Sequence, residues 1–529
     1  MSTSRRRGFI PLVLLLVLAP VGLVGAVVYN KLFRREAPTF DQPSEMFKYG
    51  AFGNAENNGL PYYVWLVLPR VFSEYLPGNG GWASLGFVSE PGHETPIGFA
   101  RETIGFERVT FNCALCHSAS YRTSPNVPPQ VALGGPGHQA DTQSYLRFLF
   151  SAASDPRFNA DVLLKEIKQS VDLSLTDELL YRYVLIPQTK KALLDQKEAS
   201  TWMTKRPPWG PGRIDPFNPI KFGFLKIPFD DTIGNADNMA IWHLKSRQGQ
   251  RLHWDGMNDS RKDVVLSSAL GDGANLKTIR LDKLEVLEKW LVEVEPPKYP
   301  GKLDEALVSQ GKALYGQLCA DCHVEGGKRT GGVVPVTEIG TDGERHRLWT
   351  KESADAYNAF ATNYPFKFNH FVGTNGPNDG YASLPLTGIW LRGPYMHNGS
   401  VPSLWDVLTE PYAASDVPAE ASELSKALAG LTRPELRKHP AELKRVEALV
   451  KQAREANRRP PLFFRGYDVI DHERVGYVSD VGVLNEEAQP FLYDTSVRGN
   501  GNTGHVGAAY GTTLSVPEKT ALIEYMKTL

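Results

Sequence analysis

Apolar residues first gather in one uninterrupted run. "GFIPLVLLLVLAPVGLVGAVVY", residues 8–29, carries no charge and follows Arg5, Arg6 and Arg7. About 20 apolar residues suffice to cross a bilayer as a helix, and flanking arginines stay on the cytoplasmic side. The run is longer than the ~7–15-residue core of a cleaved signal, and no small-x-small site closes it. The pattern predicts an uncleaved single-pass anchor, residues 1–36 with its cytoplasmic tip, and the rest of the chain on the periplasmic side of a bacterial inner membrane. A cleaved signal leads to the same side.

Further on, the apolar positions fall at helical spacing. Leu284, Leu287, Leu291 and Val294 form one stripe that stops at Pro296 and Pro297. Leu307, Leu314, Tyr315 and Leu318 form another, and it runs into "LCADCH". The chain closes with Leu522, Tyr525, Met526 and Leu529, with Ser515 as N-cap and Pro517 in the first turn. "GLPYYVWLVLPRVF", residues 59–72, reads either as a buried helix or as an apolar surface near a membrane or a cofactor. Residues 419–460 are charged, rich in helix formers and free of aromatics, which predicts a solvated, peripheral helical insertion. A boundary near 296–303 divides the chain into an N-terminal domain, 37–298, and a C-terminal domain, 299–529.

Composition adds little to this outline. The 529 residues are 42% hydrophobic and 22% charged, with a net charge of −1, so no overall field draws the chain to nucleic acid. The 38 prolines and 48 glycines predict long ordered loops.

Four cysteines carry the chemistry: Cys113 and Cys116 in "CALCH", and Cys319 and Cys322 in "CADCH". Two disulfides, or one zinc bound by four thiolates, would leave His117 and His323 unexplained. Cys-x-x-Cys-His is the attachment signature of a c-type haem: two thiols bond the macrocycle and the adjacent imidazole ligates the iron. Two such motifs, far apart in sequence, predict two covalently bound haem c groups, one per domain. The expected fold is mainly α: two cytochrome c-like haem domains with long ordered loops, plus the N-terminal transmembrane helix.

Each iron has a second axial position, and a strong ligand there makes an electron-transfer site while an open position admits oxygen or peroxide. Three neighbourhoods offer candidates: "RLHWDGMNDS" with His253 and Trp254, "PYMHNGSVPSLWD" with Met396 and His397, and "RGNGNTGHVGAAYGTTL" with His505.

With these residues the chain resembles the bacterial dihaem cytochrome c peroxidase superfamily, over roughly residues 55–410 and 460–529. That superfamily includes the enzyme that matures methylamine dehydrogenase by oxidising its tryptophans. The run "YDTSVRGNGNTGHVGAAYGTTLSVPEKTALIEYMKTL" is closer to the rubber oxygenase branch, dihaem cytochromes that cleave polyisoprene with oxygen. The resemblance implies that Trp254 lies between the haems and carries electrons. It also implies that His505 is the second ligand of the haem on His323, with His397, or Met396 beside it, as runner-up. The haem on His117 would then be the reactive one. Peroxidases of the superfamily place a glutamate over that iron. The corresponding stretch here, residues 264–276, has no acidic residue except Asp272, and O–O heterolysis needs a carboxylate as acid and base, so the missing glutamate argues against fast peroxide turnover. Rubber oxygenases keep an apolar residue there, a place that Ala269 and Leu270 match.

Two readings follow. One is an oxidoreductase using O2 or H2O2 at the His117 haem, with electrons passing through the second haem and exchanged with a redox partner protein. The other is an electron carrier with both irons six-coordinate, in which His138, His243 or His253 completes the first site.

Overall fold

A computed structural model of the chain describes residues 25–26, 29–362, 379–484 and 491–529. Helices account for 44% of it and strands for 11%. The strands, among the described residues, pair into one four-stranded and five two-stranded antiparallel sheets. This corrects the mainly α expectation with a transmembrane helix: short antiparallel strand pairs shape part of what was read as ordered loop. No described helix is long and apolar enough to cross a membrane. The run at 8–29 falls largely outside the described residues, so no N-terminal transmembrane helix is seen.

A hairpin delivers the first cysteine motif. Strand Phe99–Ile104 turns at Gly105 (φ 74°) and pairs antiparallel with Phe106–Phe111, in the register Phe99 to Phe111. A positive φ at the turn suits glycine, which has no Cβ to clash. Asn112 follows at once. Its Oδ1 accepts from the Ala114 amide (2.9 Å) while its Nδ2 donates to the Gly50 carbonyl (2.8 Å), which caps the turn Cys113–Leu115 and ties it to the neighbouring chain.

A helix delivers the second. Glu305–Leu318 begins on Asp304, whose Oδ1 accepts from the Ala306 and Leu307 amides, and runs into Cys319. The last helix, Val516–Met526, starts with a capping box between Ser515 and Glu518 and packs across it. Tyr315 and Tyr525 meet in this interface, ring centroids 5.2 Å apart. Closest approach is at Gly311, where even a methyl group would overlap the Ala521 carbonyl oxygen.

The remaining periodic stretches separate into cores. Leu284, Leu287 and Leu291 are buried on helix Leu281–Leu291. Residues 59–72 contain the helix Tyr62–Val71, with Val64, Trp65, Val67 and Leu68 in the largest apolar cluster, so the buried-helix alternative holds. The charged stretch 419–460 is helical, yet it is solvated on one side only. Leu443, Val446, Leu449 and Val450 of helix Pro440–Glu455 bury against Phe463, Phe464 and Tyr493. A stripe of aliphatic residues at three- and four-residue spacing suffices for this, at roughly 2 kcal/mol per buried side chain.

Gly311→Ala is expected to destabilise the C-terminal helix pair by about 2 kcal/mol, because the packed helices must separate. Chemical denaturation monitored by far-UV circular dichroism measures it.

Candidate haem sites

Both motif histidines are held in the same way. His117 Nδ1 is 2.9 Å from the Met239 carbonyl oxygen, and His323 Nδ1 is 2.7 Å from that of Leu384. A carbonyl only accepts, so each Nδ1 carries the proton and each Nε2 keeps a free lone pair, as a metal-ligating imidazole requires. Burial lowers the pKa of both, which keeps them neutral. Burial, reinforced by the Asp272 carboxylate, raises Cys113 and pushes Cys116 up to about 12. Asp272 Oδ2 lies 4.0 Å from Cys113 Sγ, and burial raises its carboxyl to about 8.

His505 faces His323, with ring centroids 6.4 Å apart. With metal–nitrogen bonds of ~2 Å, two imidazoles on opposite sides of one iron have centroids ~6 Å apart, so the pair fits a single haem iron. Burial first, and the His323 charge next, lower His505 to about 3, so it too is neutral. Nearby, Arg247 and Arg392 are desolvated with no carboxylate among their hydrogen-bond partners. Burial holds both below the usual arginine range, and Arg247 disfavours charge on Arg392. The Nε atoms of both lack partners. Two buried cations in this state call for an anionic ligand, and haem carboxylates supply that charge. The residues present therefore fit a haem on Cys319, Cys322 and His323.

His505 has φ 54°, a left-handed conformation costly for a residue with a Cβ. Arg459 holds it there. The fully buried guanidinium donates to the carbonyls of Asp406, Val407, Asn502, Gly504 and His505 itself. The His505 amide adds a 2.8 Å bond to Ile339. Nothing in sequence spacing marked Arg459, which ends the charged stretch 419–460. Arg247 and Arg392 were missed for the same reason: buried arginines look like surface arginines in a sequence.

Trp254 stands between the motifs. Its Nε1 donates to the Asp237 carbonyl (2.9 Å), two residues from Met239, which holds His117. Its own carbonyl accepts from the Ala382 amide (2.8 Å), two residues from Leu384, which holds His323. The other predicted residues are placed as follows. Ala269 and Leu270 are buried in an apolar cluster with Ala114, Phe217 and Met257, and Cys113 packs on it. His397 stacks on Tyr381 at 4.1 Å, and its Nε2 lies 3.0 Å from the Tyr381 hydroxyl. Met396 is in the adjoining turn with φ 69°. His243 is engaged by Glu295 and Glu325 at the surface. His138 stacks on Tyr477 at 3.7 Å. His253 lies near enough to His117 for a charge on one to disfavour a charge on the other, and its buried Nε2 has no partner.

A protein family described as RoxA-like, cytochrome c-like matches residues 380–413. This segment includes Leu384, Trp390 and His397. Two curated relatives, both from Sinorhizobium fredii, are the uncharacterized proteins y4iM and y4iJ. The first is 25% identical over 298 residues, covering 51% of this chain and 56% of the relative. The second is 24% identical over 308 residues, covering 47% and 43%. The chain spans about half the length of the curated relatives it matches. The family match supports a haem cytochrome, and at that coarse level the likeness to rubber oxygenases and other dihaem cytochromes.

Replacing His505 with Ala is expected to convert a low-spin ferric haem to high spin, read by electron paramagnetic resonance and absorbance. Arg459→Met is expected to produce the same change in part of the molecules, with a loss of about 3 kcal/mol in stability as buried carbonyls lose their donor.

Proposed function

We propose that the chain is a dihaem c-type oxidoreductase that meets O2 or peroxide at the His117 haem and stores and passes electrons through the His323 haem. The bound irons supply the redox and oxygen-reducing chemistry. The observation that carries this reading is the asymmetry of the two sites. His323 has an opposing imidazole at ligating separation, whereas Ala114, Leu270 and Met257 make the surroundings of the first motif largely apolar. Such walls exclude water.

Within this reading Asp272 is the acid–base group near the first site. Its carboxyl, held protonated near neutral pH by burial, can release a proton and take it back. Trp254 couples the sites, since it is tied to both segments that hold the motif histidines. A redox partner protein delivers or accepts the electrons.

A second reading, an electron carrier with both irons six-coordinate, is favoured by His253. Its unpaired nitrogen and its closeness to His117 make it the strongest candidate for a second ligand there.

Electron paramagnetic resonance of the oxidised protein separates the two. The oxidoreductase gives one low-spin haem and one high-spin or exchangeable haem, and the latter responds to O2 when reduced or to H2O2 when oxidised. Two low-spin haems, with one becoming high-spin in His253→Ala, establish the carrier.

A further inference from the structure

Tyr299 and His472 form a pair that the haem reading does not use. The tyrosine hydroxyl lies 2.7 Å from His472 Nδ1. His472 Nε2 lies 3.1 Å from the Thr123 carbonyl oxygen. That carbonyl can only accept, so Nε2 carries the proton, Nδ1 is a free base, and the tyrosine O–H donates to it. Both residues are half-buried, and Tyr299 sits between exposed Lys298 and Pro300. Its ring rests against Gly301, where any side chain would overlap it.

Inward, the Tyr299 ring meets Trp390 edge-on, centroids 5.5 Å apart, and Trp390 meets Tyr121 edge-on at 5.4 Å. Trp390 is fully buried, its Nε1 donating to the Pro297 carbonyl (3.1 Å). Tyr121 ends the strand Ser118–Tyr121 that begins directly after His117. Cys319 of the second motif packs against the same aromatic cluster. A continuous row of oxidisable rings thus leads from the cytochrome interior to the surface, and it ends in a phenol with a base in hydrogen-bond contact. The charges around that end are Glu524, Asp471 and Lys527. Lys527, 5.2 Å from the ring centroid, is itself bonded to Glu524 (2.6 Å).

We propose that Tyr299 is a redox-active tyrosine that carries oxidising equivalents from the protein interior to the surface, with His472 as its proton acceptor. One electron leaves Tyr299 and reduces a Trp390 radical cation to the neutral indole. In the same event the O–H bond breaks and the proton forms a bond to His472 Nδ1. The products are a neutral tyrosyl radical and an imidazolium. A phenolic or protein electron donor at the surface then returns one electron, and the proton returns from His472. Peroxide is the oxidant: one H2O2 becomes two waters by taking two electrons, passed one at a time through Tyr299 from two surface donors, and two protons, released by phenolic donors or drawn from solvent. The supply of oxidising equivalents rests on the proposed function, whereas the properties of the pair do not.

The test is freeze-quench electron paramagnetic resonance of the haem-loaded protein grown with ring-deuterated tyrosine. One arm uses H2O2 and the other a photogenerated ruthenium(III) tris-bipyridyl oxidant. The expected result is a tyrosyl signal, narrowed by deuteration, that is lost in Tyr299→Phe and weakened in His472→Gln. Trp390→Phe is expected to remove the peroxide-driven signal and leave the photochemical one. An undiminished tyrosyl signal in Tyr299→Phe, or one unaffected by His472→Gln, overturns the proposal. If only the photochemical arm yields the Tyr299 radical, the redox site stands and the peroxide reading fails.

Discussion

Two backbone carbonyls, those of Met239 and Leu384, fix the imidazoles on which the candidate haem sites depend, because each takes the Nδ1 proton of one motif histidine. With that proton fixed, the opposite nitrogen can ligate iron and the ring cannot turn away. The carbonyls are useful only if their own segments stay in place. Trp254 bonds to both segments, at Asp237 and Ala382, so one residue links the two stretches that hold the motif histidines.

Buried arginines do the rest of the positioning. Arg459 gathers the His505 loop, Arg465 pairs with the buried Asp237 and donates to the Pro211 and Gly399 carbonyls, and Arg213 reaches Asn500 and Trp209. Desolvating such cations costs several kcal/mol each, and their hydrogen bonds offset that cost only in one geometry. Irregular loops that lack helix or strand pairing gain a single conformation from them. Arg247 and Arg392 differ, because their burial is not balanced by protein carboxylates. That imbalance sits beside His323, where the carboxylates of the proposed haem would offset it.

The charged stretch 419–460 shows why local pattern misled. Its high charge reads as a solvated face, and one face is solvated. The other carries Leu443, Val446, Leu449 and Val450 into a core of their own, and its last residues include the arginine that anchors His505. The short strand pairs escaped for a related reason. Strands of two to six residues have too few positions to show a period of two, and long-range pairing sets them.

The sequence by itself made the two candidate haem motifs legible. Cys113, Cys116 and His117, and Cys319, Cys322 and His323, act at fixed local spacing, and a local signal survives without a fold. Helical stripes before the second motif and at the C-terminus were legible likewise, because each repeats within a few residues. Tertiary structure alone decided that His505 faces His323, that Trp254 ties the two sites, that Arg459 holds a strained loop and that Tyr299 donates to His472. Each joins residues tens to hundreds of positions apart, and such meetings depend on how whole elements pack.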